Sequence, residues 1–373
     1  MIPVLHLRTG EALYGAERML LALASATLAP YSPIIGAISR TGTSSPLVLE
    51  ANRRGLVALQ FPSASRFDLT CARRVAAAAR SHQAALLHAH DPKSLGVAAC
   101  AAALARIPLV ATFHGETRAS LKLRAYEGLA RILGNFTRGI VAVSPPLQRR
   151  LRRWVYAAPV YLIPNALPEA RPLTADERRA AREMLGLEPG EPVICVIGRL
   201  SFEKGHRVLL KALGRLRRPP RTLFVGDGPL REPLEKAAGR LPVKFVGYLP
   251  DARAIYAATD LVVIPSLTEG LPIVALEALA LGVCVLSSRV GGLPDLLSGG
   301  AGYTVPSGDS AALAQALAGL CENESARRLA EERGLKRGHE IYSVRAVADL
   351  YAGMVYARAL SSASSSAGHK PAA

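Results

Sequence analysis

The feature that most constrains the fold of this chain is a repeated alternation of short apolar runs with longer segments of helical period. The short runs are rich in Val, Ile and Leu, and the longer segments are rich in Ala, Leu and Arg. This alternation is typical of βα units, whose parallel strands are buried between covering helices. The sequence therefore predicts an α/β protein built on parallel sheets.

The strand-like runs fall into two groups. The first group comprises Ile2–Leu7, Ile34–Ile38, Leu56–Leu59, Leu86–Ala89, Leu109–Thr112, Gly139–Val143 and Val160–Ile163. The second comprises Val193–Gly198, Thr222–Val225, Val243–Val246, Leu261–Pro265 and Val283–Ser287. A chain of 373 residues has room for two domains of this kind.

A proline-rich stretch separates the two groups. Three prolines lie within Pro164–Pro172, where they disfavour both helix and strand. We therefore expect a first Rossmann-like domain at 1–165 and a second at 166–345, a helix at 346–360 that packs back on the first domain, and a disordered tail at 361–373.

The net charge of +17 favours anionic partners without choosing among them. Arginines cluster at Arg149, Arg150, Arg152 and Arg153, and again at Arg215, Arg217 and Arg218. Each cluster is interpreted either as a solvated helix face or as a patch for a membrane or acceptor.

The cysteines and the apolar runs bear on location. Cys71, Cys100, Cys195, Cys284 and Cys321 are odd in number and far apart, which predicts reduced core residues of a cytoplasmic protein. The N-terminal segment lacks the charged region of a signal peptide, and no uninterrupted apolar run of about 18 residues occurs. We therefore expect a protein that neither follows that secretory route nor spans a membrane.

Ligands of open parallel sheets bind beyond the carboxyl ends of the strands, so the turns after strands are the candidate sites. Arg199 follows the strand Val193–Gly198, and Lys204 lies where the next helix begins. Two cations flanking a helix N-terminus suit a diphosphate, which Arg grips bidentately while Lys adds a mobile charge. The alternative is an ordinary loop in which Arg199 pairs with Glu203.

Two glutamates follow the strand Leu261–Pro265. Glu269 precedes Gly270 on the loop, and Glu277 lies in an otherwise apolar helix that ends near Gly282. A carboxylate in such a helix needs hydrogen-bond donors. Sugar hydroxyls would supply them, and so would an arginine from a neighbouring element.

The first half offers fewer candidates. Gly15 opens a helix after the first strand, and its backbone N–H could meet a phosphate. His114 follows a strand, at the position where a ligand would lie, and is interpreted either as a residue that faces a ligand or as a structural histidine. His88, His90 and Asp91 could imitate a metal site, but we interpret them as a surface turn.

No metal site is predicted. The chain contains no Asp-x-Asp motif and no His/Cys spacing typical of zinc. We therefore expect that no metal or other cofactor is required.

Taken together, these segments resemble glycosyltransferase family 4, the retaining group with the GT-B fold. The matching residues are Gly15-Ala16-Glu17-Arg18, Phe113-His114-Gly115, Val143-Ser144, Ile163-Pro164-Asn165, Gly198-Arg199-Leu200, Glu203-Lys204-Gly205, Gly226-Asp227-Gly228-Pro229 and Glu269-Gly270-Leu271-Pro272 with Glu277. The two glutamates have the spacing of the Glu-x7-Glu signature of that family. The resemblance runs from about residue 5 to residue 310 and implies two Rossmann-like domains facing a central cleft.

The resemblance also implies roles for individual residues. Catalytic positions would be His114 and Glu269, both facing the transferred sugar. The donor would be bound by Gly15, Arg199, Lys204, Gly247, Tyr248, Leu249, Gly270, Leu271, Pro272 and Glu277, with the cations on the diphosphate, Glu277 on the ribose and the turn at Tyr248 on the base. Displacement would occur from the front side with retention, and the leaving diphosphate would help to deprotonate the acceptor.

The family suggests a hexose or N-acetylhexosamine transferred from a nucleotide diphosphate sugar, with UDP favoured over GDP. The acceptor would be a glycan or a lipid-linked molecule of cell-surface polysaccharide or glycolipid synthesis, and the basic surface suggests peripheral contact with the inner face of an anionic membrane. A GT-B epimerase or phosphorylase is the alternative enzyme. A non-catalytic protein that binds nucleic acid would have no use for the two glutamates.

Overall fold

The structure is a computed structural model that describes residues 1–11, 13, 15–27, 29–40, 44–63, 68–115, 121–167, 170–188 and 190–361. Contacts divide the chain into two units, Leu167–Ser343 on the one hand and Met1–Ala166 with the segment from Val344 onward on the other. Residues 168 and 169 of the predicted boundary and residues 362–373 of the predicted tail lie outside the described residues. Ser361, which we placed in the tail, is instead helical.

The first unit is built on a parallel sheet, which has seven strands within the described residues. The strands are β1 Ile2–Thr9, β2 Tyr31–Ser39, β3 Val57–Pro62, β4 Leu86–Ala89, β5 Leu109–Phe113, β6 Gly139–Ala142 and β7 Val160–Leu162. Their order is β3-β2-β1-β4-β5-β6-β7. The chain thus adds β2 and β3 on one side of β1 and then adds β4 to β7 on the other side. All seven coincide with runs predicted from the apolar pattern.

Helices follow most of these strands. They are α1 Gly15–Ala26, α2 Pro46–Arg53, α3 Leu69–Ser81, α4 Pro92–Ala105, α5 Leu121–Leu133 and α6 Pro145–Leu151. Asp91 caps α4 by accepting hydrogen bonds from the backbone N–H groups of Lys93 and Ser94.

The second unit has a parallel sheet of six strands within the described residues, in the order β10-β9-β8-β11-β12-β13. The strands are β8 Val193–Ile197, β9 Arg221–Val225, β10 Val243–Gly247, β11 Leu261–Ile264, β12 Cys284–Ser288 and β13 Tyr303–Val305. The sequence pattern missed β13, because polar Thr304 interrupts its three residues and leaves no continuous apolar run.

The helices of the second unit are α7 Ala175–Met184, α8 His206–Leu213, α9 Arg231–Ala238, α10 Arg253–Ala258, α11 Ile273–Leu281, α12 Leu293–Leu296, α13 Ser310–Glu322 and α14 Glu324–Ile341. The core of this unit lies between the sheet and these helices, around Phe224, Leu209 and Leu317. Burying these side chains supplies the driving force that fixes each loop at its strand end.

The chain then returns to the first unit through α15 Val344–Leu350 and a π-helical segment at Tyr351–Tyr356. Tyr351 and Tyr356 are both buried, and their hydroxyls reach side chains of β5 and β4, respectively. This C-terminal segment is therefore part of the polar interior of the first unit.

The cysteines and the apolar character of the helices also bear on the predictions from the sequence. All five cysteines are free thiols, but Cys100 is exposed because it lies on the outer face of α4, so its predicted place in the core is wrong. Among the described helices, none combines the length and the apolar character needed to cross a bilayer.

Candidate active site

The loops after β8 and β11 pack tightly against each other, because β8 and β11 are neighbours in the sheet. The backbone N–H of Leu267 donates to the carbonyl oxygen of Glu203 at 2.8 Å. Gly205 has a φ of +66°, and a Cβ atom there would lie 1.9 Å from the carbonyl oxygen of Pro265. Only glycine fits this conformation and this approach, so Gly205 allows the two loops to meet.

The meeting of these loops brings Lys204 to Glu269. The Lys204 Nζ atom donates to Glu269 Oε1 at 2.7 Å, and the two side chains are 28% and 9% exposed. The hydroxyl of Ser266 donates to the same oxygen at 2.8 Å. An anionic ligand that arrived here would find an ammonium group already positioned, held by a carboxylate that is itself held by a hydroxyl.

Arg199 differs from Lys204 in that its side chain is exposed at the end of β8. The alternative in which Arg199 pairs with Glu203 is not found, since Glu203 accepts instead from the Ser201 hydroxyl at 2.6 Å. Among the described residues, Arg199 has no carboxylate within ion-pairing distance. Its guanidinium is therefore available to a ligand.

Two helices begin at this place without a side-chain cap. Gly205 precedes α8 and Pro272 precedes α11, and neither residue offers a side-chain acceptor to the first N–H groups of its helix. Uncapped N–H groups and the helix dipole together favour an anion. Gly270, Leu271 and Pro272 are buried directly before α11, so their backbone forms the floor of the loop.

A third loop supports Glu269 from behind. The backbone N–H of Gly292 donates to the carbonyl oxygen of Gly270 at 2.6 Å. A Cβ atom on Gly291, whose φ is +59°, would lie 2.5 Å from the carbonyl oxygen of Glu269. The glycine turn after β12 therefore sets the position of the Glu269 backbone.

Glu277 is half-buried in α11 and accepts a hydrogen bond of 2.7 Å from the hydroxyl of Tyr256. The donor in this bond is thus a tyrosine hydroxyl, and not the sugar hydroxyl or the arginine considered from the sequence. Tyr256 lies 21 residues away in the chain, so no local pattern indicated it.

The loop after β10 carries Gly247, Tyr248 and Leu249. Gly247 has a φ of +89°, and its carbonyl oxygen accepts from the backbone N–H of Gly226 at 2.7 Å. Tyr248 is exposed and Leu249 is half-buried. This loop therefore holds an exposed aromatic ring at the same edge of the sheet as Arg199.

In the first unit, His114 directly follows β5. Its Nδ1–H donates to Asn165 Oδ1 at 3.2 Å, which leaves Nε2 as the unprotonated nitrogen of the neutral ring. Burial, with a smaller contribution from the nearby charge of Arg8, lowers the pKa of His114 to about 3. The Nε2 atom is buried and has no partner within the part of the chain that the structure describes.

A cavity of about 150 Å³ lies beside His114, lined among others by Arg8, His90 and Thr112. The Arg8 guanidinium is fixed by Glu17 Oε1 at 2.6 Å and by the carbonyl oxygen of His90 at 2.8 Å. Glu17 belongs to the segment that begins at Gly15, so this segment contributes a buried ion pair as well as a helix start. Arg8 itself was not singled out from the sequence.

The interpretation of His88, His90 and Asp91 as a surface turn is wrong. His88 and His90 are buried, and they adjoin His6 on the neighbouring strand β1. The three imidazoles are the only group of potential metal ligands found among the described residues. His6 Nδ1 lies 3.0 Å from His90 Nε2, whereas His88 bonds the hydroxyls of Tyr356 and Thr112. Asp91 instead caps α4.

Two family models match this chain. One, described as Glycosyltransferase Family 4, matches residues 15–171, and the other, described as Glycosyl transferases group 1, matches residues 191–323. The chain belongs to glycosyltransferase family 4. The resemblance drawn from the motifs is thereby confirmed.

Relatives and solved structures agree with this placement in family 4. The chain is 32% identical to a phosphatidyl-myo-inositol mannosyltransferase of Mycobacterium leprae over 65% of each chain. It is 31% identical to the putative teichuronic acid biosynthesis glycosyltransferase TuaC of Bacillus subtilis, over 62% of this chain and 60% of that relative. The alignments thus span less than two thirds of the length of either relative.

The crystal structure of Anabaena HepE in complex with UDP and glucose superposes with a TM-score of 0.82 at 22% identity, covering 95% of this chain and 99% of that one. At this identity the likeness concerns the fold alone. The predicted GT-B class of two parallel-sheet α/β domains is confirmed.

Proposed function

We propose that this chain is a retaining glycosyltransferase that transfers a hexose or an N-acetylhexosamine from a nucleotide diphosphate sugar. The observation that carries the proposal is the contact between Lys204 and Glu269 beside two uncapped helix N-termini. A site of this kind combines positive electrostatic potential for a diphosphate with a carboxylate for sugar hydroxyls. Membership in family 4 supports the same reaction class.

In this proposal Arg199 and Lys204 bind the diphosphate, assisted by the N-termini of α8 and α11. Glu269 accepts hydrogen bonds from the transferred sugar, and the backbone of residues 270–272 lies against it. Glu277, oriented by Tyr256, accepts the ribose hydroxyls.

Three further contacts with the donor belong to the proposal. The loop formed by Gly247, Tyr248 and Leu249 holds the base, where the exposed ring of Tyr248 offers a stacking surface. Gly15 donates a backbone N–H to the phosphate. His114 presents its unprotonated Nε2 to a sugar hydroxyl.

The proposed chemistry is front-side displacement with retention of the anomeric configuration. As the bond to the sugar breaks, negative charge develops on the leaving diphosphate, and Arg199, Lys204 and the helix N-termini stabilise it. That diphosphate takes the proton of the acceptor hydroxyl, whose oxygen forms the new bond to the anomeric carbon. His114, with its pKa of about 3, is neutral at physiological pH and orients the sugar as a hydrogen-bond acceptor rather than as an acid. No metal takes part in this proposal.

UDP is the proposed nucleotide, in preference to GDP. The structural similarity to HepE, whose crystal contains UDP and glucose, supports this choice. For the acceptor we propose a glycan or a lipid-linked molecule of cell-surface polysaccharide or glycolipid synthesis, which the names of the two relatives support. The enzyme would then act in the cytoplasm, at the inner face of the membrane.

Thermal unfolding with UDP, GDP, ADP and dTDP, each with and without EDTA, tests the donor site. A nucleotide at a hundred times its Kd stabilises the folded chain by about 2.7 kcal/mol. We expect stabilisation by UDP that survives EDTA. If all four nucleotides left the midpoint unchanged, the donor site would be wrong, and if EDTA abolished the shift, the metal-free proposal would be wrong.

The variant Lys204→Ala tests the role of the cation. Loss of a preorganised charge stabiliser lowers kcat by roughly 100-fold to 1,000-fold, and we expect this loss in a donor-hydrolysis or transfer assay. Lys211→Ala is the matched control, since Lys211 is exposed on α8, the helix that begins just after Lys204. Equal turnover in the two variants would contradict the assignment.

A further inference from the structure

The first unit carries four large apolar side chains that are exposed at one place. Ile132 is 52% exposed, Phe136 75%, Trp154 51% and Tyr156 90%. We call these four residues the aromatic platform. Large apolar side chains exposed together are uncommon on a monomer, because each costs hydration free energy, and they mark interaction surfaces.

Hydrogen bonds to one asparagine hold the platform together. Asn135 Nδ2 donates to the carbonyl oxygens of Ile132 at 3.2 Å and Trp154 at 3.0 Å. The backbone N–H of Tyr156 donates to Asn135 Oδ1 at 2.9 Å. These hydrogen bonds hold residues 132–136 beside residues 154–156, some twenty residues further along the chain. The platform is therefore an ordered surface rather than a set of separate loops.

The chain segment that carries the platform has charged side chains of a single sign. Residues 128–168 contain no Asp or Glu and include Arg131, Arg138, Arg149, Arg150, Arg152 and Arg153. The Arg131 guanidinium lies 5.9 Å from the centre of the Trp154 ring, within range of a cation–π interaction. Arg138 and Arg153 are exposed and directly flank the platform in the chain.

We propose that the aromatic platform and its arginines bind the surface of an anionic lipid bilayer. Tryptophan and tyrosine rings favour the region between lipid headgroups and acyl chains, and an isoleucine and a phenylalanine beside them add apolar area. Arginines attract the anionic headgroups. Nucleic acid would use the arginines and the rings, but it would leave the aliphatic Ile132 without a partner.

This surface deepens the proposed function and rests on it for its purpose, because a lipid-linked acceptor must be met at a membrane. It adds a specific surface to the general expectation of membrane contact. None of its residues belongs to the proposed donor site.

The chain contains a single tryptophan, so Trp154 reports directly on the proposed contact. The experiment mixes the full chain with phosphatidylcholine vesicles that contain phosphatidylglycerol, with pure phosphatidylcholine vesicles, and with a single-stranded oligonucleotide. We expect a blue shift of the emission and protection from acrylamide only with the anionic vesicles, and we expect both to fade as salt screens the charges.

Charge variants test the arginines. Arg138→Gln combined with Arg153→Gln should weaken vesicle binding roughly 30-fold, since each arginine near such a surface is worth about 1 kcal/mol. The matched control is Arg215→Gln combined with Arg217→Gln, two exposed arginines of the second unit. This control should bind as the parent does.

Apolar variants test the rings without removing the reporter. Phe136→Ser combined with Tyr156→Ser should weaken binding by roughly 10-fold or more. Leu49→Ser combined with Leu104→Ser, which removes two exposed leucines elsewhere in the first unit, should not weaken it.

Several results would overturn the proposal: no shift with anionic vesicles, an equal shift with neutral ones, a shift with the oligonucleotide alone, or equal losses in the test and control variants. The readout needs neither donor nor acceptor. Failure here with intact nucleotide stabilisation would therefore refute the membrane surface alone, whereas loss of nucleotide stabilisation would refute the donor site.

Discussion

Mild acidification should destabilise the first unit, because His6, His88 and His90 are buried and neutral and the half-buried His114 is neutral as well. Burial lowers the pKa of His6 and of His114 to about 3, and it lowers the pKa of His88 and His90 well below the usual value of 6.5. In the unfolded chain the same rings titrate near 6.5. Below that pH the unfolded state therefore binds more protons than the native state.

This difference in proton binding determines the direction and the size of the change in stability with pH. For a lowered native pKa, stability is fully present above the unfolded pKa and is lost as pH falls toward the native value. Between pH 7 and about pH 5.5, each ring that stays neutral in the native state lowers the free energy of unfolding by about 1.3 kcal/mol. Four such rings together lower the free energy of unfolding by about 5 kcal/mol, which is comparable to the whole stability of many domains.

Urea unfolding at about pH 7.5, 6.5 and 5.5 measures the effect, with emission of Trp154 as the signal because this residue lies in the first unit. In His88→Gln, the free energy of unfolding should fall less between pH 7.5 and pH 5.5, by the contribution of one histidine, which is about 1.4 kcal/mol. His82→Gln is the matched control, since the His82 ring is exposed.

The carboxylate of Glu50 does not contribute to the stability change between pH 7.5 and pH 5.5. The pKa of Glu50 is lowered to about 2 by Arg53 and Arg54, so its contribution is lost only below the unfolded value of 4.5. A change in the free energy of unfolding of less than about 1 kcal/mol between pH 7.5 and pH 5.5 would refute the reasoning, because it would mean that the buried rings accept protons in the native state.

Three further predictions concern the site. Glu269→Gln keeps the shape of the side chain but removes its charge, and we expect kcat/KM for transfer to fall roughly 100-fold at an unchanged thermal midpoint; full activity would refute its role. The pH profile of kcat/KM should show no ionisation of His114 near pH 6.5, because its native pKa is about 3; a limb there that vanished in His114→Asn would contradict this. Gly205→Ala should cost about 3 kcal/mol or more in unfolding free energy and weaken nucleotide stabilisation, since its Cβ would lie 1.9 Å from the Pro265 carbonyl oxygen. Gly186→Ala, with a φ of +65° but open space around it, is the control and should cost only about 1 kcal/mol; equal losses would refute the steric argument.

Much of the fold was predictable from local pattern. Apolar runs and periods of two and of 3.6 residues depend on the side chains of each segment alone, so β1 to β12 and the α/β class could be predicted from the sequence. β13 could not, because polar Thr304 interrupts its three residues, whereas the equally short β7 lies within an uninterrupted apolar run.

The environment of the histidines was not predictable in the same way. His88 and His90 look like the polar end of a strand. The pairing of β1 with β4 places His6 against them, and the returning C-terminal segment brings the hydroxyl of Tyr356 to His88. Burial is decided by elements that are distant in sequence, so a local pattern cannot report it.

The candidate donor residues show the same division. By itself, the sequence determined that Arg199, Lys204, Glu269 and Glu277 follow strands or lie in the helix beyond, since strand ends and glycine turns are local features. Only the tertiary structure decided that Lys204 bonds Glu269, 65 residues away, and that Tyr256 bonds Glu277. The reason is the strand order: β8 and β11 are not consecutive in the chain, and their pairing depends on how the whole sheet buries its apolar surface.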